Sequence, residues 1–189
     1  TVDSVEYSFL NTEEYTAPKS GNDVVFNNVK IYEGTYITTR YTVATSNVNQ
    51  RFVIPDSRVD TDTLLVKVQT SSSDTSTTTY TKATDITQLT DSSSVYFLQE
   101  IEAGKFEVYF GDGVVSKSLS DGNIVLLSYV VTNQDVANGA NSFSSAGAIA
   151  GNSVVVVTTV ASAIGGGERE TINSIKLKAP LDYASQGRC

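Results

Sequence analysis

"KFEVYFGDGVVSKSLSDGNIVLLSYVV", residues 105–131, is the stretch on which the fold class turns. In its first six residues Phe106, Val108 and Phe110 alternate with Lys105, Glu107 and Tyr109. Neighbouring side chains of a strand point to opposite faces, so this alternation predicts a half-buried strand. The apolar run at 124–131 predicts a second strand. Between them lie Asp112 and Asp121, each followed by a glycine. Calcium loops gather several oxygen ligands at short spacing and close on a later Glu. Here Val114 and Val115 separate the aspartates, and "GDG" occurs once with no fixed period after it. Asp-Gly is ordinary turn chemistry, so strand, turn and strand is the expectation, with no metal and no cofactor.

Similar runs recur outward from this point, as "VEYSF", "TYITTRYTVA", "TLLVKVQT", "SVYFLQEI" and "SVVVVTTV". Turn-forming residues separate many of them, and long helical periodicity is almost absent. Val154 to Val157 do not alternate, which predicts a strand covered on both faces or a crossing between packed layers. In "QTSSSDTSTTTYTKATDITQLTDSSS", Ser71 to Ser76 predict a turn, and Thr77 to Thr84 around Tyr80 a polar edge strand. Ile86 and Leu89 are spaced for a brief helical turn, while a disordered or O-glycosylated linker is the alternative for this Ser/Thr-rich composition. The one good helix candidate is "ERETINSIKLKAP" at 168–180, with Ile172, Ile175 and Leu177 as its apolar stripe. Glu168 and Glu170 in its first turn and Lys176 and Lys178 in its last would suit the helix dipole, and Pro180 would stop it.

Composition narrows the chemistry. The 189 residues carry a formal net charge of −8, and Lys and Arg form no cluster, so a nucleic-acid surface is not expected. Histidine is absent, which removes the commonest general base and metal ligand. The single cysteine, Cys189, permits neither an internal disulfide nor a cysteine metal site. With no Met anywhere and no charged-then-apolar start, the chain reads as part of a longer polypeptide without a signal peptide. The small-residue stretch from Ser144 is interrupted by Asn152, Ser153, Thr158 and Thr159, so no membrane span is expected.

Three site patterns compete. Gly165, Gly166 and Gly167 before a helix suggest a phosphate loop, but the closing Lys and Ser/Thr are missing and two glutamates occupy the anion's place. A hinge suits them better. Glu100 with Glu102, or Asp60 with Asp62, would stand on one side of a strand ~7 Å apart, a weak signal for glycoside cleavage and a common one for solvated faces. A surface adhesin binding glycans through Tyr80 or Tyr96 is the alternative from another class.

The order Phe110-Gly111-Asp112-Gly113, then Gly122, Tyr129, Gly139 and Asn141, resembles the baseplate J-like and T4-type baseplate wedge proteins of contractile-tailed phages. Glu33, Gly34, Phe52, Ile54, Pro55, Val59, Asp60, Thr61, Leu64 and Val66 are similar to an upstream part of that pattern. Glu168, Glu170, Ile172, Ile175, Ala179, Pro180 and Arg188 are similar to a downstream part. The residues "VVSKSLS" depart from the basic or proline-containing excursion of the family. The resemblance implies a non-enzymatic, late structural protein of the virion tail baseplate, assembled in the host cytoplasm. It implies partners of two kinds: copies of itself, as a dimer within a ring, and other wedge proteins around a hub. It further implies a part in the rearrangement that triggers sheath contraction. The fold expected is mainly β, in two packed β regions with one short helix near the C-terminus. Residues 57–141 would form an inserted β domain between 1–56 and 142–189, the latter leading through the glycines towards a further domain.

Overall fold

The computed structural model describes residues 2, 5–47 and 49–186, with side chains as far as Pro180. Short strands come first: β1 (Phe9–Leu10), β2 (Lys19–Ser20), β3 (Asp23–Val24) and β4 (Tyr32–Glu33). They pair as two small antiparallel ribbons, β1 with β4 and β2 with β3. The body of the molecule is a seven-stranded sheet built from β5 (Thr35–Thr42), β6 (Phe52–Ile54), β7 (Val59–Gln69), β8 (Thr77–Lys82), β9 (Val95–Glu100), β10 (Phe106–Tyr109) and β11 (Ile124–Val131). Its spatial order is β5-β11-β7-β8-β9-β10-β6. One helix, α1 (Ile172–Gln186), follows a long strand-free segment.

The alternation expected in "KFEVYF" is present. Val108 is fully buried, Phe106 and Phe110 pack against the core, and Glu107 and Tyr109 meet Arg51 on the other face. Strand β11 has the less patterned, more uniformly buried sequence and takes an interior place beside the edge strand, antiparallel to β5 over its whole length and to β7 on its other side. The register with β7 shifts between Ser128 and Val130. Such a bulge leaves a backbone amide without its ladder partner. The buried hydroxyl of Thr63 accepts from the Val130 amide at 3.0 Å and donates to the Asp60 carbonyl at 2.7 Å, so the irregularity carries no unsatisfied donor.

The sheet curls until its edges meet. Tyr41 on β5 and Phe52 on β6 belong to opposite edges, yet their ring centroids lie 5.7 Å apart and the Tyr41 hydroxyl donates to the Val53 carbonyl. Phe110 then stands edge-on to both Phe52, at 5.7 Å, and Tyr80 of β8, at 5.3 Å. This aromatic row fills the interior together with Ile54, Val66, Val108, Val125, Leu127 and Tyr129, each at most 1% exposed. Edge-to-face rings contribute beyond the area they bury, which suits a closure made with few backbone bonds.

Among the described residues the mainly β class and one α-helix near the C-terminus are as expected, and several details differ. The strands contributed from either side of residue 57 share one sheet, so β5 and β6 do not belong to a separate body. Strand β8 is interior, antiparallel to β7 and parallel to β9, and not an edge strand. Its threonines make one face polar, but the polarity of a face says nothing of whether the backbone is paired on both sides. Val154 to Val157 form no strand, and Val154 and Val156 are 79% and 86% exposed. Both of the large sheet's edges are drawn together, and β-branched residues without an open ladder have nothing to pair with. Finally, Thr171 caps α1, its hydroxyl accepting from the Ser174 amide at 3.2 Å, so Glu168 and Glu170 precede the helix. Glu170 reaches forward to Ser174 and Lys178, whose hydrogen bonds hold its carboxyl below the usual range. The helix runs through Pro180 without ending there. The proline removes only the bond to the Lys176 carbonyl, which in an exposed helix water can satisfy.

The Ser-rich turn and the brief helical turn are both present. Asp74 accepts from the Ser76 amide at 3.0 Å, and Asp85 accepts from the Thr87 amide at 2.9 Å at the start of a 3-10 turn over Ile86–Gln88.

Candidate functional site

The glycine-bearing motif residues are turn and packing elements around the sheet. Gly111 lies against the buried Ser116 so closely that a Cβ would run into its hydroxyl. Asp112 accepts from the Val114 amide at 3.0 Å, and Gly113, at a φ of 89°, donates to the Ser116 carbonyl at 2.9 Å. Asp121 accepts from the amide and the hydroxyl of Thr45, at 2.9 and 3.2 Å, and Gly122 donates to the Val43 carbonyl. The two aspartates therefore fasten two separate turns. Tyr129 is fully buried, its hydroxyl 2.9 Å from that of Thr39 across the β11–β5 ladder. Glu33 grips Asn133 by backbone and side-chain amides at 2.9 and 2.7 Å, beside Gly34, which touches the β11 backbone. Pro55 is exposed just past β6, and Asn141 is exposed beyond the turn at 134–139. Arg188 lies outside the described residues.

The three glycines before α1 are not equivalent. Gly166 is held by both ends of the Asn138 side chain: its amide donates to Asn138 Oδ1 at 3.0 Å and its carbonyl accepts from Nδ2 at 2.8 Å. Beside this pair, Gly139 donates to the Ala163 carbonyl and Ala163 to the Ala140 carbonyl, each at 2.8 Å. A Cβ on Gly166 would strike the Gln134 carbonyl. Further along, Arg169 lies on Gly104 and forms an ion pair with Glu100. Neither Asn138 nor Arg169 stands out in the sequence, because a contact between residues 28 apart leaves no local pattern.

The third domain of the bacteriophage baseplate wedge protein gp6 matches residues 38–138, which run from β5 to the turn that carries Asn138. The chain belongs to this baseplate wedge family. It is also 24% identical over 207 aligned positions to the baseplate wedge protein gp6 of Enterobacteria phage T4, an alignment that covers 97% of this chain. The chain spans 30% of the length of that relative.

In this wedge-family chain the other candidate sites fare differently. Tyr80 and Tyr96 are each 4% exposed, and burial lifts both phenols above their ordinary pKa. They are core residues and cannot present rings to a glycan, so neither serves the adhesin alternative. Glu100 is engaged by Arg169, and Glu102 sits in a separate 3-10 turn, Glu102–Gly104. Among the described residues no group of three or more acidic or cysteine side chains is placed to hold a metal. No helix of the described residues is long and apolar enough to cross a membrane. An open hollow of about 480 Å³ lies beside Glu6, Gly34, Arg58 and Asn133, and two of its charged groups are already engaged, Glu33 by Asn133 and Arg58 by Asp56.

Asp60 gives a prediction with a definite sign. Burial pushes its carboxyl above the ordinary range against the pull of the Asp62 amide at 3.0 Å, and the Asp62 charge adds to the rise. A carboxyl that holds its proton more tightly when folded favours the folded state most below its unfolded pKa. That benefit is lost as pH rises through the folded value. Asp60→Asn keeps an acceptor for the Asp62 amide and carries no charge. It is expected to melt at a higher temperature than the parent at neutral pH, with the advantage shrinking towards about pH 4. Thermal melts across that range check this; a variant that melts lower at neutral pH would remove burial as the dominant influence.

Proposed function

We propose that this chain is a structural segment of the baseplate wedge of a contractile phage tail, a scaffold and joint with no chemical step of its own. The observation that carries this is the family match over residues 38–138, which coincides with the curled sheet and its exit turn. The T4 relative is by name a baseplate wedge protein, and the same setting is carried over here. In that setting copies of the protein associate as a dimer within a ring and bind other wedge proteins around the hub, with neither nucleic acid nor membrane as partner. Assembly takes place in the host cytoplasm, and the finished baseplate rearranges to trigger sheath contraction. Residues 142–189 connect the sheet to the next part of the wedge. Two features support a joint built for neighbours. The sheet has a filled interior and few free edges, which makes it a rigid body. The segment after it exposes Val154, Val156, Val160, Ile164, Ile172 and Leu177, each at least 70%, a share of large apolar groups that suits burial against other proteins.

Immunogold labelling of intact virions with an antibody against the folded sheet is expected to place gold at the tail tip. Label confined to the capsid, or protein recovered only outside particles, would overturn the assignment.

A further inference from the structure

The segment leading from the sheet to α1 is fastened at two places. Asn138 and the neighbouring backbone hold 163–166, and Glu100 holds Arg169 where its side chain crosses Gly104. All these anchors are turns or strand ends of the sheet unit: 138–140 follows β11, Glu100 ends β9, and Gly104 turns the chain into β10. The contacts are polar, and the Arg169 and Glu100 side chains are 51% and 47% exposed. Water can replace each of them, which it cannot do for the aromatic row inside the sheet. Gly165, at a φ of 92°, and Gly167 flank the clasped Gly166, and neither has an atom within 4 Å of where a Cβ would stand. The backbone is therefore free to turn on both sides of a fixed point.

We propose that residues 163–169 form a releasable strap, held on the sheet unit by the Asn138–Gly166 and Glu100–Arg169 clasps. Its release lets α1 change direction without breaking a strand pair. The hinge is then not the glycine run as a whole but the opening of two clasps around Gly166. Its purpose as a switch within a wedge rests on the baseplate assignment; its existence in the isolated chain does not.

Amide hydrogen exchange on the full 189-residue chain tests the strap. Two variants attack it from opposite sides: Asn138→Ala removes the clasp, and Gly166→Ala drives a methyl group into the Gln134 carbonyl. In each, the Gly139 and Ala163 amides are expected to exchange about tenfold faster, in step with one another, while the amides of β11 keep their rates. If Gly139 and Ala163 keep parental rates in both variants, the contacts are independent and there is no strap. If β11 accelerates by the same factor, the contacts are part of the sheet's global stability and the strap is again overturned. Neither outcome depends on where the protein sits in a virion, so a failure here is distinct from a failure of the immunogold test.

Discussion

Phe52→Ala is expected to lower the unfolding free energy by about 3–5 kcal/mol, the range for removing a large buried aromatic side chain. Phe52 is 1% exposed and stands where the curled sheet closes, with Tyr41 from one edge and Phe110 from the other side both at 5.7 Å. Its strand, β6, has three residues and pairs only with β10 in the ladder. Side-chain packing must therefore do much of what backbone bonds do elsewhere in the sheet. The cavity left by alanine would face the Tyr41 ring, whose hydroxyl reaches the Val53 carbonyl, so the closure itself loosens. Urea denaturation should show a lower midpoint with an unchanged slope. Phe52→Leu, which keeps most of the volume, is expected to cost under about half as much. A loss below about 1 kcal/mol for the alanine variant would mean that the site collapses without cost and that the aromatic row does not hold the edges together.

The second large effect belongs to Gly34. Its φ of 134° is one that side chains rarely adopt, and a Cβ there would meet the Val131 carbonyl and, at 2.7 Å, Val130 Cγ1. Gly34→Ala therefore combines backbone strain with a collision against β11, expected to cost about 3 kcal/mol or more. Gly122 provides the contrast, with a φ of 76° and open space around the Cβ position. Gly122→Ala should cost only the left-handed penalty of about 1–2 kcal/mol. Equilibrium unfolding of the two variants side by side checks the order. Equal losses would show that the approach to β11 is soft and that conformation alone governs both positions.

What could be read in advance follows a physical division. Side-chain periodicity is local, so "KFEVYF" announced its two faces, and β10 has them. Turn chemistry is local too, and Asp112, Asp74 and Asp85 each accept from an amide two residues on. Strand order is not local. Nothing in the threonines of β8 says that β7 and β9 flank it, and nothing in Val154 to Val157 says that no ladder awaits them. The motif glycines were legible by position and not by cause: Gly34 and Gly111 are required by what touches them, Gly113 and Gly122 by the turns they make. Asn138 and Arg169 carry no local signal, because the residues they touch lie far along the chain.

The place of β11 between β5 and β7 has a consequence for synthesis. The Thr39–Tyr129 contact joins residues 90 apart, and β11 is the partner of β5 in the large sheet. On the ribosome β7, β8, β9 and β10 can pair as they emerge, but β5 must wait until residue 131 has left the exit tunnel. At about 5–20 residues per second the chain spends several seconds with that edge uncovered. Threonine is a strand former and does not blunt an edge, so during that interval β5, with Arg40 as its one charge, is open to pairing with another nascent chain.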